Sequence, residues 1–200
     1  MAQFTKASPL RVALLLLLGL FVLDYAWVQT HPEGGRGRRG WNFGMMVAGN
    51  ACPDALEVKP DEQAMLGESE FAWKLTALDG RETTLAEHRG KVVFVNMWAT
   101  WCGPCIEEMP SIQALYDAAQ KEGVAFVLVS EEHAETVKKF VEQEKYTLPI
   151  FTTQAVPAKF QSRGIPATFI VSRQGAIVHQ HVGMANWNTD ACRKFLHALQ

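Results

Sequence analysis

The chain has 200 residues, 48% hydrophobic and 20% charged, enough for one packed domain with appendages. A formal net charge of -2 gives no electrostatic footprint for nucleic acid. Four cysteines, Cys52, Cys102, Cys105 and Cys192, with one close pair, exclude a small disulfide-dense scaffold.

Residues 1–29 stand apart. Lys6 and Arg11 precede an apolar run from Val12 to Leu23, which Asp24 interrupts and Tyr25 to Val28 extend. Through Val28 the run counts about 17 residues, the lower limit for a membrane-spanning helix. Five consecutive leucines, Leu14 to Leu18, leave no polar face for a water-soluble helix. No small-x-small cleavage site follows directly, because Asp24 occupies the first small position. An uncleaved anchor is the favoured reading and a cleaved signal peptide the next. Arg36, Arg38 and Arg39 follow the run, so positive charge flanks both ends and does not choose an orientation.

Residues 30–60 read as a linker. The glycine- and arginine-rich stretch Gly34 to Gly40 cannot build a core. The domain proper is expected over 61–200. Phe71 to Leu78, a turn at Asp79-Gly80, and Arg81 to Leu85 predict an N-terminal β-hairpin. Val92 to Val95, Val124 to Val129 and Ala167 to Val171 are continuous apolar runs, the pattern of strands covered on both faces. Met109, Ile112, Leu115, Tyr116 and Ala119 recur at helical spacing, as do Val137, Phe140 and Val141. Glu131-Glu132 is read as the start of that second helix, and Pro149 to Phe151 as a short strand. Ala176 to Val182 predicts a further strand, with His179 and His181 on one exposed face. Cys192, Phe195, Leu196 and Leu199 mark a final helix capped by Asn188 or Thr189. The alternation predicts an α/β fold around a central mixed sheet.

The chemistry concentrates at Trp101-Cys102-Gly103-Pro104-Cys105, which follows a central strand and opens a helix. A three-residue offset brings both cysteines to one helical face, within disulfide reach. Pro104 suits the first turn, where its missing N–H costs nothing. Cys102 at the positive helix end favours thiolate and is the attacking sulfur. Cys105 lies deeper and resolves the mixed disulfide. A structural zinc site needs four ligands, and no second Cys-x-x-Cys exists. No metal or bound cofactor is therefore expected. Glu108, one turn past Cys105, is placed to exchange protons with the thiols; neighbouring Glu107 reads as a solvated first-turn acid. Pro110 is expected to kink the helix.

Cys52 and Cys192 are the cysteines left over. Cys192 shares a face with Phe195, Leu196 and Leu199, so it points into the domain. A structural disulfide between them is the preferred reading, against a buried free Cys192 beside an exposed Cys52.

The sequence resembles the thioredoxin superfamily, specifically its TlpA/ResA/DsbE-like extracytoplasmic thiol–disulfide oxidoreductases. The residues that carry this are Leu75-x-x-Leu78-Asp79-Gly80, Gly90 to Val93, Val95 to Cys102, Glu108-x-Pro110 and Gly164 to Ile170. The resemblance spans about residues 65–200. It implies a thioredoxin-like fold with an extra helix–strand insertion between the motif helix and a cis-proline. Pro166 matches that proline, facing the two cysteines, with the Ile165 backbone pairing to the incoming peptide. Substrate contacts are expected at Trp101, Pro104, Ile165 and Pro166. Asn96 stands where cytoplasmic thioredoxins carry a buried aspartate, which leaves Glu108 as the nearby acid; Asn96 itself reads as a residue that satisfies backbone groups.

The implied activity is protein disulfide reduction on the periplasmic side of a cell inner membrane, by a single-pass protein or by a soluble periplasmic form. The implied partners are disulfide-bearing substrate proteins, in cytochrome c or copper oxidase maturation, and a membrane thiol–disulfide electron donor. Competing readings are a disulfide-donating oxidase, a Cu(I)-holding metallochaperone-like module and, last, a thiol peroxidase.

Overall fold

The computed structural model describes residues 51–53 and 64–200. The proposed anchor 1–29 and most of the linker 30–60 lie outside the described residues. Among the described residues no helix is long and apolar enough to cross a membrane.

Strand β4 (Val93–Met97) organises the molecule. All five of its residues are buried. It pairs in parallel with β5 (Ala125–Ser130) and antiparallel with β7 (Ala167–Val171), so its ladder is complete on both sides. The remaining strands are β1 (Ala64–Met65), β2 (Lys74–Ala77), β3 (Glu82–Thr84), β6 (Ile150–Thr152) and β8 (Ala176–Val182). The sheet runs β1-β8-β7-β4-β5-β6-β2-β3 and is mixed.

Side chains alternate across β4. Val93, Val95 and Met97 join one apolar layer, with Leu75, Leu85, Phe160 and Phe169. Phe94 joins the opposite layer. There it meets helix α2 (Gly103–Ala119) through Met109, Ile112 and Leu115, and helix α4 (Asp190–Ala198) through Cys192, Phe195 and Leu196. The same period puts Asn96 on the α2 side. Helix α3 (Ala134–Glu144) and β6 form the helix–strand segment between α2 and Pro166. This is the thioredoxin-like α/β fold.

Three local expectations change. The hairpin turns at Asp79-Gly80, with Gly80 at φ 88°, but its first arm starts at Lys74. Phe71 instead ends a four-residue helical turn, α1 (Glu68–Phe71), whose Glu70 carboxylate accepts from the Gly67 N–H at 2.7 Å. Glu131-Glu132 does not start α3, which begins at Ala134 after His133. The His179 and His181 face is half-buried rather than exposed. His179 Nε2 lies 2.6 Å from the Ala51 carbonyl oxygen, and its ring packs against Phe195 at 6.0 Å. Burial holds the His179 pKa below its ordinary value. Helix α2 runs through Pro110 as one element, and Thr189 caps α4 by accepting from the Cys192 N–H at 3.2 Å.

Candidate active site

Cys102 is the N-cap of α2, with extended backbone at φ -88°. Its sulfur accepts from the Cys105 N–H at 3.3 Å. One of the orphan donors of the first helical turn is thus aimed at the atom that carries negative charge in the thiolate. Pro104 sits in that first turn. The two cysteines form a disulfide with Cα atoms 5.2 Å apart. Cys105 is fully buried and Cys102 keeps 5% exposure, so the approach to the pair is from the Cys102 side. Trp101 beside it is 73% exposed, a large apolar surface left open.

The Ile165–Pro166 peptide is cis. The Ile165 carbonyl oxygen lies 3.7 Å from Cys102 Sγ, so the loop before β7 faces the motif. The structure therefore gathers Trp101, Cys102, Pro104, Cys105, Ile165 and Pro166 in one place.

Glu108 lies beneath this surface at 2% exposure. Oε1 accepts from Asn96 Nδ2 at 2.9 Å. Oε2 accepts from the Ala185 N–H at 3.1 Å and from Trp187 Nε1 at 3.0 Å. Burial pushes its pKa up to about 7, against the three donors, which favour the carboxylate. Asn96 thus bonds side chains, Glu108 and Thr168, rather than the backbone groups expected of it.

Glu132 contributes from a distance in sequence. Its carboxylate accepts from the Thr100 N–H and the Thr100 hydroxyl, both at 2.7 Å, and from the Ser130 hydroxyl at 3.1 Å. It ties the loop that carries Trp101 and Cys102 to the end of β5. A Glu-Glu pair before a helical pattern looks like a helix start, and no local signal marks this contact. Trp187 and Ala185 were likewise invisible, since neither belongs to a motif.

Cys52 and Cys192 form a second disulfide, Cα atoms 5.0 Å apart, 2% and 0% exposed. Among the described residues no group of three or more His, Cys, Asp or Glu side chains gathers to hold a metal.

A thioredoxin-like sheet with a Cys-x-x-Cys at the head of its central helix defines a thiol–disulfide oxidoreductase. The sequence profile of the AhpC/TSA family matches residues 66–180. The thiol-disulfide oxidoreductase ResA of Bacillus thuringiensis is 30% identical over 125 residues, 61% of this chain and 72% of that protein. The ResA of Geobacillus thermodenitrificans is 39% identical over 106 residues, 52% of this chain and 61% of that protein. A thiol:disulfide interchange protein of the thioredoxin family from Chlorobium tepidum superposes with a TM-score of 0.54 at 25% identity, covering 64% of this chain and 93% of that one. This chain belongs to the AhpC/TSA family, among its TlpA/ResA/DsbE-like thiol–disulfide oxidoreductases.

Proposed function

We propose that this oxidoreductase is a membrane-tethered protein disulfide reductase acting outside the cytoplasm. The reduced Cys102 thiolate attacks one sulfur of a substrate disulfide, and the other substrate sulfur leaves as a thiolate and takes a proton. Cys105, giving its proton to the Glu108 carboxylate, then attacks Cys102. The substrate's second sulfur is released, and the Cys102–Cys105 disulfide forms. Two electrons pass to the substrate in each cycle. A membrane thiol–disulfide carrier reduces the pair again, because an oxidising periplasm offers no thiol buffer of its own. Trp101, Pro104, Ile165 and Pro166 form the surface that holds the substrate. Substrates of this group's kind are apocytochrome c or copper oxidase assembly factors.

The observation that carries the assignment of roles is the Cys102 sulfur accepting the Cys105 N–H at the helix start, with Cys105 itself sealed. The test is Cys105→Ser in the membrane-anchored protein. It should accumulate mixed disulfides between Cys102 and substrate proteins, and Cys102→Ser should accumulate none. For direction, the pair should equilibrate near the potential of cytoplasmic reductants, below about -220 mV. A potential near that of a periplasmic oxidant, about -120 mV, would make it a disulfide donor instead.

A further inference from the structure

Asn96 is fully buried on β4, yet its amide is used from one end only. Nδ2 donates to Glu108 Oε1 and to Thr168 Oγ1, both at 2.9 Å. Oδ1 has no hydrogen-bond partner among the described residues. A buried acceptor without a partner is costly, and such groups are rare in folded proteins.

The neighbours explain what the unused end is for. Among the described residues the Glu108 carboxyl is met by three donors and no acceptor: Asn96 Nδ2, the Ala185 N–H and the Trp187 indole. That suits a carboxylate. A protonated Glu108 carries a hydrogen that needs an acceptor. Oε2 already holds two donors, so the hydrogen belongs on Oε1, which faces Asn96. There it would meet the Nδ2 hydrogens head on.

We propose that the Asn96 amide turns end for end when Glu108 takes up a proton at Oε1, so that Oδ1 accepts from both the Glu108 and the Thr168 hydroxyls. The two ends of a carboxamide are nearly equal in size, so the turn needs no repacking. Thr168 is Asn96's cross-strand partner on β7 and stays in place for both orientations, because a hydroxyl both donates and accepts. Each orientation makes two bonds and leaves one amide end idle. The two states of Glu108 are thus housed almost alike. Asn96 becomes the positioning residue that keeps the sealed carboxyl itself paired in both of its protonation states.

The titratable groups facing this cluster are few. The Cys102–Cys105 pair lies on α2, and His181 on β8 packs edge-on to Trp187 at 5.6 Å. Strands β4, β5 and β7 and residues 183–189 contribute none. The inference rests on the reading of Glu108 as a proton carrier.

The experiment uses the full-length oxidised chain in detergent, so that neither cysteine of the pair titrates. The Glu108 midpoint is followed by ¹³C NMR of its carboxyl, and the Asn96 amide by NOEs from its Nδ2 hydrogens to Thr168. The expected result is a midpoint near 7, with those NOEs present above it and lost below it. Asn96→Leu, which removes both ends of the amide, should raise the midpoint by half a pH unit or less. Loss of a fixed donor to a carboxylate would raise it by about one unit or more, and a rise of more than half a unit overturns the turn. If the variant does not fold, the wild-type NOEs decide alone. A midpoint near 7 with NOEs unchanged across it overturns the turn and spares the proton carrier. A midpoint at the ordinary carboxylate value of 4.5 overturns both.

Discussion

Trp187 reaches Glu108 across 79 residues of chain, its indole N–H donating to Oε2 at 3.0 Å. The same loop gives Oε2 the Ala185 N–H, and the Trp187 N–H donates to the Ser111 hydroxyl at 3.1 Å. The indole is 1% exposed and packs edge-on to Phe94 at 5.1 Å. One side chain therefore fills the core beside β4 and steadies the buried acid. Trp187→Phe keeps most of the packing and removes the donor. The Glu108 midpoint should rise above about 7, by roughly one pH unit, since a hydrogen bond to a charged group is worth about 1.5–3 kcal/mol. The pH–rate profile for disulfide reduction should move to higher pH by the same amount. An unmoved profile would mean that Glu108 takes no part in turnover.

Glu108 should also leave a mark on stability. Its folded pKa of about 7 exceeds the ordinary 4.5, so between these values the folded chain keeps a proton that the unfolded chain has released. Stability is then lost as pH rises from about 4.5 to about 7 and is level above, by on the order of 3 kcal/mol in all. Glu108→Gln should remove this slope while slowing turnover. Urea unfolding of both oxidised proteins between pH 4 and 8 measures the difference, and parallel curves would contradict it.

Replacing Cys52 and Cys192 together by Ser opens a loop of 140 residues. The chain-entropy account puts the loss near 4–5 kcal/mol, with native bridges often giving about 2–5. The melting temperature should fall accordingly. The potential of the Cys102–Cys105 pair should stay where it was. A melting temperature equal to wild type would remove any structural role for the bridge.

Glu132→Ala removes both bonds to Thr100 and so frees the loop that carries Trp101 and Cys102. Turnover should drop several-fold and the reduced Cys102 should be alkylated at a changed rate, with only a modest stability loss of about 1–3 kcal/mol. Iodoacetamide labelling rates across pH read the thiol directly. If those rates match wild type, Glu132 merely finishes the loop.

The sequence disclosed what is local. Trp101 to Cys105 declares its chemistry in five adjacent residues, and the apolar runs of β4, β5 and β7 need no partner to be recognised. Glu108 follows from helical spacing. What surrounds it does not, because Trp187, Ala185 and Thr168 arrive from other elements through tertiary packing. Glu132 misled for the same reason: two glutamates before a helix are a good local signal, and a long-range bond to Thr100 overrode it. His179 looked solvent-facing by strand period, but Ala51 folds back over it.

The bridge between Cys52 and Cys192 has a further meaning for how the protein comes into being. A domain whose motif exchanges disulfides contains a second one that has to be made first. Both bonds are buried, the motif's with Cys102 at 5% exposure and the second, which joins α4 to Cys52, at 2% and 0%. The newly made chain needs an oxidant to close the Cys52–Cys192 bridge, whichever way electrons later flow through Cys102 and Cys105. Synthesis in a thiol-rich compartment would give a protein with a working motif on an unfastened frame.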